Sequence, residues 1–450
     1  MSFQRTQQLF ARFGFGMTPA EYHRWRKGRF EDALDDLFKG ARRCTDMALP
    51  DPGPATMMDG EMEQKPLYMA GPQWMRRMAD PTASPLLEKM TLFWHGHFAC
   101  EPRAPFLAVA YCNTLRKNAL GSFRELLLAV AKDASMIRYL NNQQNRKNSP
   151  NENFARELLE LFTLGHGHYS ETDIKEVARA FTGWSSTKGG EFVFREKLHD
   201  DGEKTFLGRT GKWKGEDIVD ILLEKKRTAE FLTFKLWRFF VGETPDPVAV
   251  AELSGKFYAS GYDIGRLVRD LAEHPALQRP ENVGDHIKSP VELIVGLMRN
   301  AGFGFPDDQS LLFLQRAFGQ VLFAPPNVAG WPGGKNWIDN SSLLQRLNLG
   351  AALCLASGLD IRIKEEFESP GASPQLKRVE ASVDLSVLRG LLSPYPTETP
   401  EEVMADFFLP DAKAVRWDAL RPVIDRETDP ERRLILTVIG FMSLPEFQLT

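Results

Sequence analysis

Two His-Gly-His triplets, His95-Gly96-His97 and His166-Gly167-His168, hold half of the chain's eight histidines. Imidazoles two residues apart share one face of a strand and can chelate a metal there, but on a helix they point about 200° apart. Ser84-Pro85 opens a pattern in which Leu86, Met90, Phe93, Trp94 and His97 form one apolar stripe at steps of three and four. On that helix His97 turns inward, while His95 joins Glu88 and Thr91 on the other face; a helix stop at Gly96 would relax the separation. His97 then reads either as a hydrogen-bonded core histidine or as a ligand. The second triplet follows Gly165, a helix-ending position where cationic side chains suit the carboxyl end without further purpose.

Carboxylates supply the second set. In Asn151-Glu152-Asn153-Phe154-Ala155-Arg156-Glu157-Leu158-Leu159-Glu160, the residues Glu152, Arg156 and Glu160 are four apart and can form an ion-pair ladder. Glu157 is left out of the ladder and shares a face with Asn153 beside the apolar side, as the partner of a buried base or as a metal ligand. Further on, His199-Asp200-Asp201-Gly202 reads as the tip of a hairpin. Asp-Gly is a favoured turn pair, so Asp201 and Gly202 are explained by the turn, whereas His199 and Asp200 are not. A P-loop, a G-x-S-x-G elbow, an HExxH pair and a Rossmann glycine pattern are all missing, which argues against the enzyme classes built on them.

The elements that must position these residues are helical. Residues 1–40 read as two amphipathic helices, the second opened by Thr18-Pro19, and 45–66 read as a Pro- and Gly-rich loop. Further helices start after Ser149-Pro150, at Ser170 with Asp173 completing a capping box, and at Ser289-Pro290-Val291-Glu292. The runs Glu191–Phe194 and Lys204–Leu207 predict one hairpin or arm near 191–207. The Pro325–Gly334 stretch predicts a rigid loop packed on the core by Trp331 and Trp337. After residue 357 a polar stretch at 366–375 reads as a linker, and Thr399-Pro400 opens the clearest helix beyond it. The expected fold is therefore mostly α, a multi-helix body over 1–357 with a smaller helical segment at 376–450 packed on it.

Composition sets the bounds. The 450 residues are 43% hydrophobic and 26% charged, an ordinary globular balance that needs neither disulfide nor metal in order to fold. A net charge of −4 with dispersed basic residues points away from nucleic acid. Cys44, Cys100, Cys112 and Cys354 show no zinc-ligand spacing. No apolar run approaches the roughly 20 residues of a membrane helix, and the opening Met1–Thr6 lacks the apolar core of a signal peptide. The expected location is the cytoplasm.

Taken in order, several segments resemble the signature set of a bacterial family, domain-of-unknown-function family 1800. They are Phe13-Gly14-Phe15-Gly16, Phe93–Phe98, Asn151–Gly165, Tyr169–Trp184, His199–Gly208, Ile287–Glu292, Pro325–Trp337 and Ser443–Gln448. The resemblance spans nearly the whole chain and implies no established activity. It implies a protein partner from the sulfatase-like family 1501, whose members are often encoded alongside, and some relatives carry export signals. The family's polar signature residues correspond to His95, His97, Glu152, Asn153, Arg156, Glu157, His199, Asp200 and Lys204, the residues that helix and turn formation leave least explained.

Two functional expectations follow. In the first, the protein is a metal-assisted enzyme, hydrolytic or oxidative. His95, His97, Glu157 and His199 would hold a divalent transition metal such as zinc, iron or manganese, and Glu152, Asn153, Arg156, Asp200 and Lys204 would assist the chemistry. In the second, the same residues form a buried structural network in a helical binding or assembly module. The sharpest form of the first expectation brings His97, Glu157 and His199 within a few ångströms of each other, with His166 and His168 outside.

Overall fold

The computed structural model describes residues 2–48, 57–58, 61–62, 70–355, 358–362, 364, 376–411 and 420–450. Helices dominate them, and the strands pair only two at a time. The fold is mostly α, as the apolar periodicity requires. No helix among the described residues is long and apolar enough to cross a membrane.

Helix starts fall where local chemistry puts them. Thr18, Ser170, Ser289 and Thr399 each accept a hydrogen bond from the backbone N–H three residues on, and the acid there reaches back to close a capping box. Ser84 caps the Pro85–His97 helix by accepting from Leu87 N–H at 3.3 Å. That helix runs through Gly96, so the glycine does not end it. It is buried on nearly every side, because it lies between two cores. One core gathers Trp94, Phe98, Phe123, Phe162 and Leu232, and the other Trp74, Leu92, Leu293, Leu314 and Phe441.

After Ser149-Pro150 the helix begins only at Asn153. It is α-helical to Glu157 and then widens into a π-helix over Leu158–Thr163. Gly165 follows at φ +81°, in the left-handed conformation expected at a helix end.

The 191–207 region differs from the single expected hairpin. Phe192–Phe194 pairs back with Trp184–Ser186, and Lys204–Phe206 pairs forward with Arg209–Gly211, so the two β-like runs belong to separate hairpins. Asp201-Gly202 is therefore no hairpin tip. Each local pairing closes a shorter loop, 187–191 or 207–208, than the 195–203 segment that would join the two runs, which saves some loop-closure entropy.

The Pro325–Gly334 loop is packed on the helical body as expected. Gly330 lies against the end of the Pro85–His97 helix, where an added Cβ would sit 2.4 Å from the Gly96 carbonyl oxygen. Trp337 is buried and Trp331 half-buried. The 366–375 linker lies outside the described residues, as does most of the 45–66 loop. The C-terminal segment holds to the body through Arg26 on Glu398 and through Gln7, which donates to Leu409 C=O at 2.6 Å. Its Leu388, Met404 and Phe441 enter the second core.

Candidate functional site

A cleft of about 330 Å³ opens where four elements meet: the end of the Pro85–His97 helix, the Lys226–Phe240 helix, the start of the Pro290–Asn300 helix and the loop carrying Trp331. Phe93, His97, Lys235, Phe239, Glu292 and Trp331 are among its walls.

His97 is fixed at both ring nitrogens. Nε2–H donates to Phe162 C=O at 3.2 Å, and Nδ1 accepts from Lys235 Nζ at the same distance. Lys235 also donates to Leu161 C=O at 3.3 Å. Both carbonyls belong to the π-helix, whose last turn is wound so that the N–H groups of Leu164 and Gly165 both go to Leu159 C=O. The Leu161 and Phe162 carbonyls are consequently free to accept from side chains, and they present the negative end of the helix to a cation. Burial, aided by the nearby Lys235 charge, holds the His97 imidazole neutral, well below its ordinary range. Burial and then Arg238 bring Lys235 down to about 8. No carboxylate among the described residues forms an ion pair with Lys235. The result is a neutral imidazole hydrogen-bonded to an amine that is easy to deprotonate.

Behind the cleft lies a charged interior. Glu292 caps its own helix by accepting from Ser289 N–H at 2.7 Å, takes the buried Lys89 ammonium, and stands 3.7 Å from His286 Nε2. Burial would raise the Glu292 carboxyl, but Lys89 and His286 outweigh it and hold the group well below the usual range. Glu292 is therefore a fixed anion already matched to a cation. At the cleft mouth Glu243 pairs with Arg238 at 2.9 Å.

His95 faces the other core, as the helical turn between the two rings demands. Its Nε2 accepts from Phe323 N–H at 3.2 Å, and its ring stacks on Trp331 at 5.3 Å with Trp74 edge-on at 5.2 Å. Burial takes it down to about 3, so it is neutral. His95 is a wedge that seats the Trp331 loop.

The remaining expected site residues lie in two other places. Arg156 reaches Glu152 at 3.4 Å but makes its shorter pair with Glu171 at 2.9 Å. Glu160 accepts from Tyr169 O–H at 2.6 Å and pairs with exposed His166, so the ladder is only half formed. Asn153 is exposed. Glu157 is half-buried, and its carboxyl is raised by burial and then by Glu160. His199 is buried and donates from Nδ1 to Thr182 C=O at 2.9 Å. Asp200 is clamped by Arg179, and Lys204 Nζ holds the turn by donating to Asp200 and Gly202 carbonyls.

These residues brace the arm against the Glu171–Ala180 helix. They share no hydrogen bond or ion pair with His97. Among the described residues no three His, Cys, Asp or Glu side chains are grouped to hold a metal ion, so His97, Glu157 and His199 are not assembled as a ligand set. His168, like His166, is exposed.

Lys235, His286 and Lys89 were not singled out from the sequence. A signal existed for Lys235, which sits four residues from both Phe231 and Phe239 on one helical stripe. A cation on an aromatic stripe is a buried-charge warning. No such signal marks Lys89, whose partner Glu292 comes from a distant segment, or His286, which faces the same Glu292 from six residues before it.

No curated protein and no solved structure matches the chain. Residues 8–449 match the family described as "Protein of unknown function (DUF1800)". With nearly the whole chain and all the cleft walls inside that span, the chain belongs to the DUF1800 family.

Proposed function

We propose that the protein is an enzyme that uses Lys235 as an amine nucleophile toward a carbonyl substrate, with His97 as its proton-transfer partner. The observation that carries this is the run Lys235 Nζ, His97 Nδ1, Phe162 C=O, with 3.2 Å at each step, opening on a cleft. It is the general arrangement of an activated nucleophile: a base within hydrogen-bond reach, itself oriented by a third group. With its midpoint at about 8, roughly a tenth of Lys235 is free amine at pH 7. The amine lone pair forms the C–N bond as the carbonyl π electrons move to oxygen. The oxygen takes a proton, and loss of water then leaves a C=N linkage on Lys235. His97, kept as the Nε2–H tautomer by Phe162, presents Nδ1 to carry the proton between nitrogen and oxygen.

The test is reductive trapping. Cyanoborohydride with small aldehydes should place a stable adduct on Lys235, read by peptide mass spectrometry, and Lys235→Met should lose it. Labelling spread evenly over surface lysines would instead favour the non-catalytic binding module. Metal analysis of untagged protein separately tests the metal-assisted expectation. We further propose a cytoplasmic setting, supported by four cysteines present as free thiols. A partner from the sulfatase-like family 1501 stays a proposal for co-purification to test.

A further inference from the structure

The cleft also limits what its substrate can be. Apart from His97 and Lys235, its walls carry four aromatic side chains, Phe93, Phe239, Trp331 and Trp337, beside polar groups that include His286, Ser289 and Gln320. Phe239 and Trp331 are half-buried and both line the cleft. Uncovered aromatic surface of this kind gains by stacking on another planar ring. The volume of about 330 Å³ lies at the small end of ligand sites and is roughly twice that of an apolar cavity that takes one benzene, so a single ring with its substituents fits.

Charge narrows the choice further. Both carboxylates on the walls are already engaged, Glu292 by Lys89 and Glu243 by Arg238. Lys235 has no carboxylate partner among the described residues, and the nearby Arg238 charge already opposes its protonation. A cationic ligand would add repulsion in a site without a free anion to receive it. A neutral or anionic ligand meets no such opposition.

We infer that the substrate is a single-ring aromatic carbonyl compound without positive charge, its ring against Trp331 and Phe239 and its carbonyl at Lys235. The inference rests on the amine reading above, and the experiment separates the two. Reductive trapping would be run with benzaldehyde, 4-formylbenzoate, 4-formylphenyl-trimethylammonium and glycolaldehyde. The concentration giving half-maximal adduct on Lys235 would be measured for each.

The expected order places the first two at least tenfold below glycolaldehyde, with the trimethylammonium compound the weakest of the aromatic probes. In Trp331→Ala the ratio of benzaldehyde to glycolaldehyde should fall several-fold. Phe239→Leu serves as the second variant should the first misfold by circular dichroism. Equal half-saturation for benzaldehyde and glycolaldehyde, or an unchanged ratio in a folded variant, would overturn the aromatic class. If no aldehyde labels Lys235, the amine chemistry fails. Tryptophan fluorescence quenching by benzoate against acetate then decides the ring preference alone: saturable quenching by benzoate only supports it, and equal responses overturn it.

Discussion

The two His-Gly-His triplets have the same three residues and opposite fates. His95 and His97 sit in a helix buried between two cores, each ring held by a backbone group on a different side. His166 and His168 follow a helix end and stay in solvent, His166 resting on Glu160 at 3.2 Å. The difference shows that a short histidine motif carries no chemistry of its own. Whether the surroundings take the ring out of water, as in the first case, or leave it there, as in the second, decides the contacts it makes.

The largest expected break of this comparison comes from truncation. His95→Ala should cost about 3 kcal/mol, through the void and the lost seat for Trp331, and His97→Ala a similar amount. His166→Ala should stay within about 0.5 kcal/mol. Urea unfolding of the three variants measures this; equal midpoints would mean that the buried triplet is no better packed than the exposed one.

Close approach of the loop gives a second contrast. Gly330 has φ +78°, and its added Cβ would meet the Gly96 carbonyl, so Gly330→Ala should destabilise by about 2 kcal/mol. Gly96 lies within the helix, and nothing stands within 4 Å of its added Cβ. Gly96→Ala should therefore gain about 0.5–1 kcal/mol. Thermal melts of the pair check both signs.

Acid gives the third. The folded values of His95 and His97 lie below the unfolded value of about 6.5, His95 at about 3. Below 6.5 the unfolded chain binds protons that the folded chain refuses. The stability is thus fully present above 6.5 and is lost as pH falls toward the folded values. Each histidine contributes a slope of about 1.4 kcal/mol per pH unit. Between pH 6 and 5, ahead of most carboxylates, His95→Phe should roughly halve the part of the slope due to the pair; urea unfolding at the two pH values measures it, and an unchanged slope would mean that His95 takes up its proton in the folded state.

Local rules were enough for much of this molecule. The caps at Thr18, Ser84, Ser170, Ser289 and Thr399, the inward turn of His97, the opposed faces of His95 and His97 and the packed Trp331 loop all depend on residues near in sequence or on apolar periodicity. Such features cost little loop entropy and can be read from the chain. The hairpins were legible as β-like runs but not as pairings, because Phe192–Phe194 and Lys204–Phe206 have suitable neighbours on either side.

The site was not legible in this way. Lys235 meets His97 across 138 positions, and Lys89 meets Glu292 across 203. The expected ligands Glu157 and His199 were grouped with His97 only because helix and turn chemistry left them unexplained. Residues left over by local rules need not share a place. Arg179 and Thr182 account for the arm, and the π-helical winding after Glu157 turns the Leu161 and Phe162 carbonyls toward Lys235 and His97. By itself the sequence determined helices, their ends and which faces avoid water, since these are free energies of neighbours. Only the tertiary structure decided which buried polar groups meet, since desolvation forces each to find a partner and packing alone sets which one is within reach.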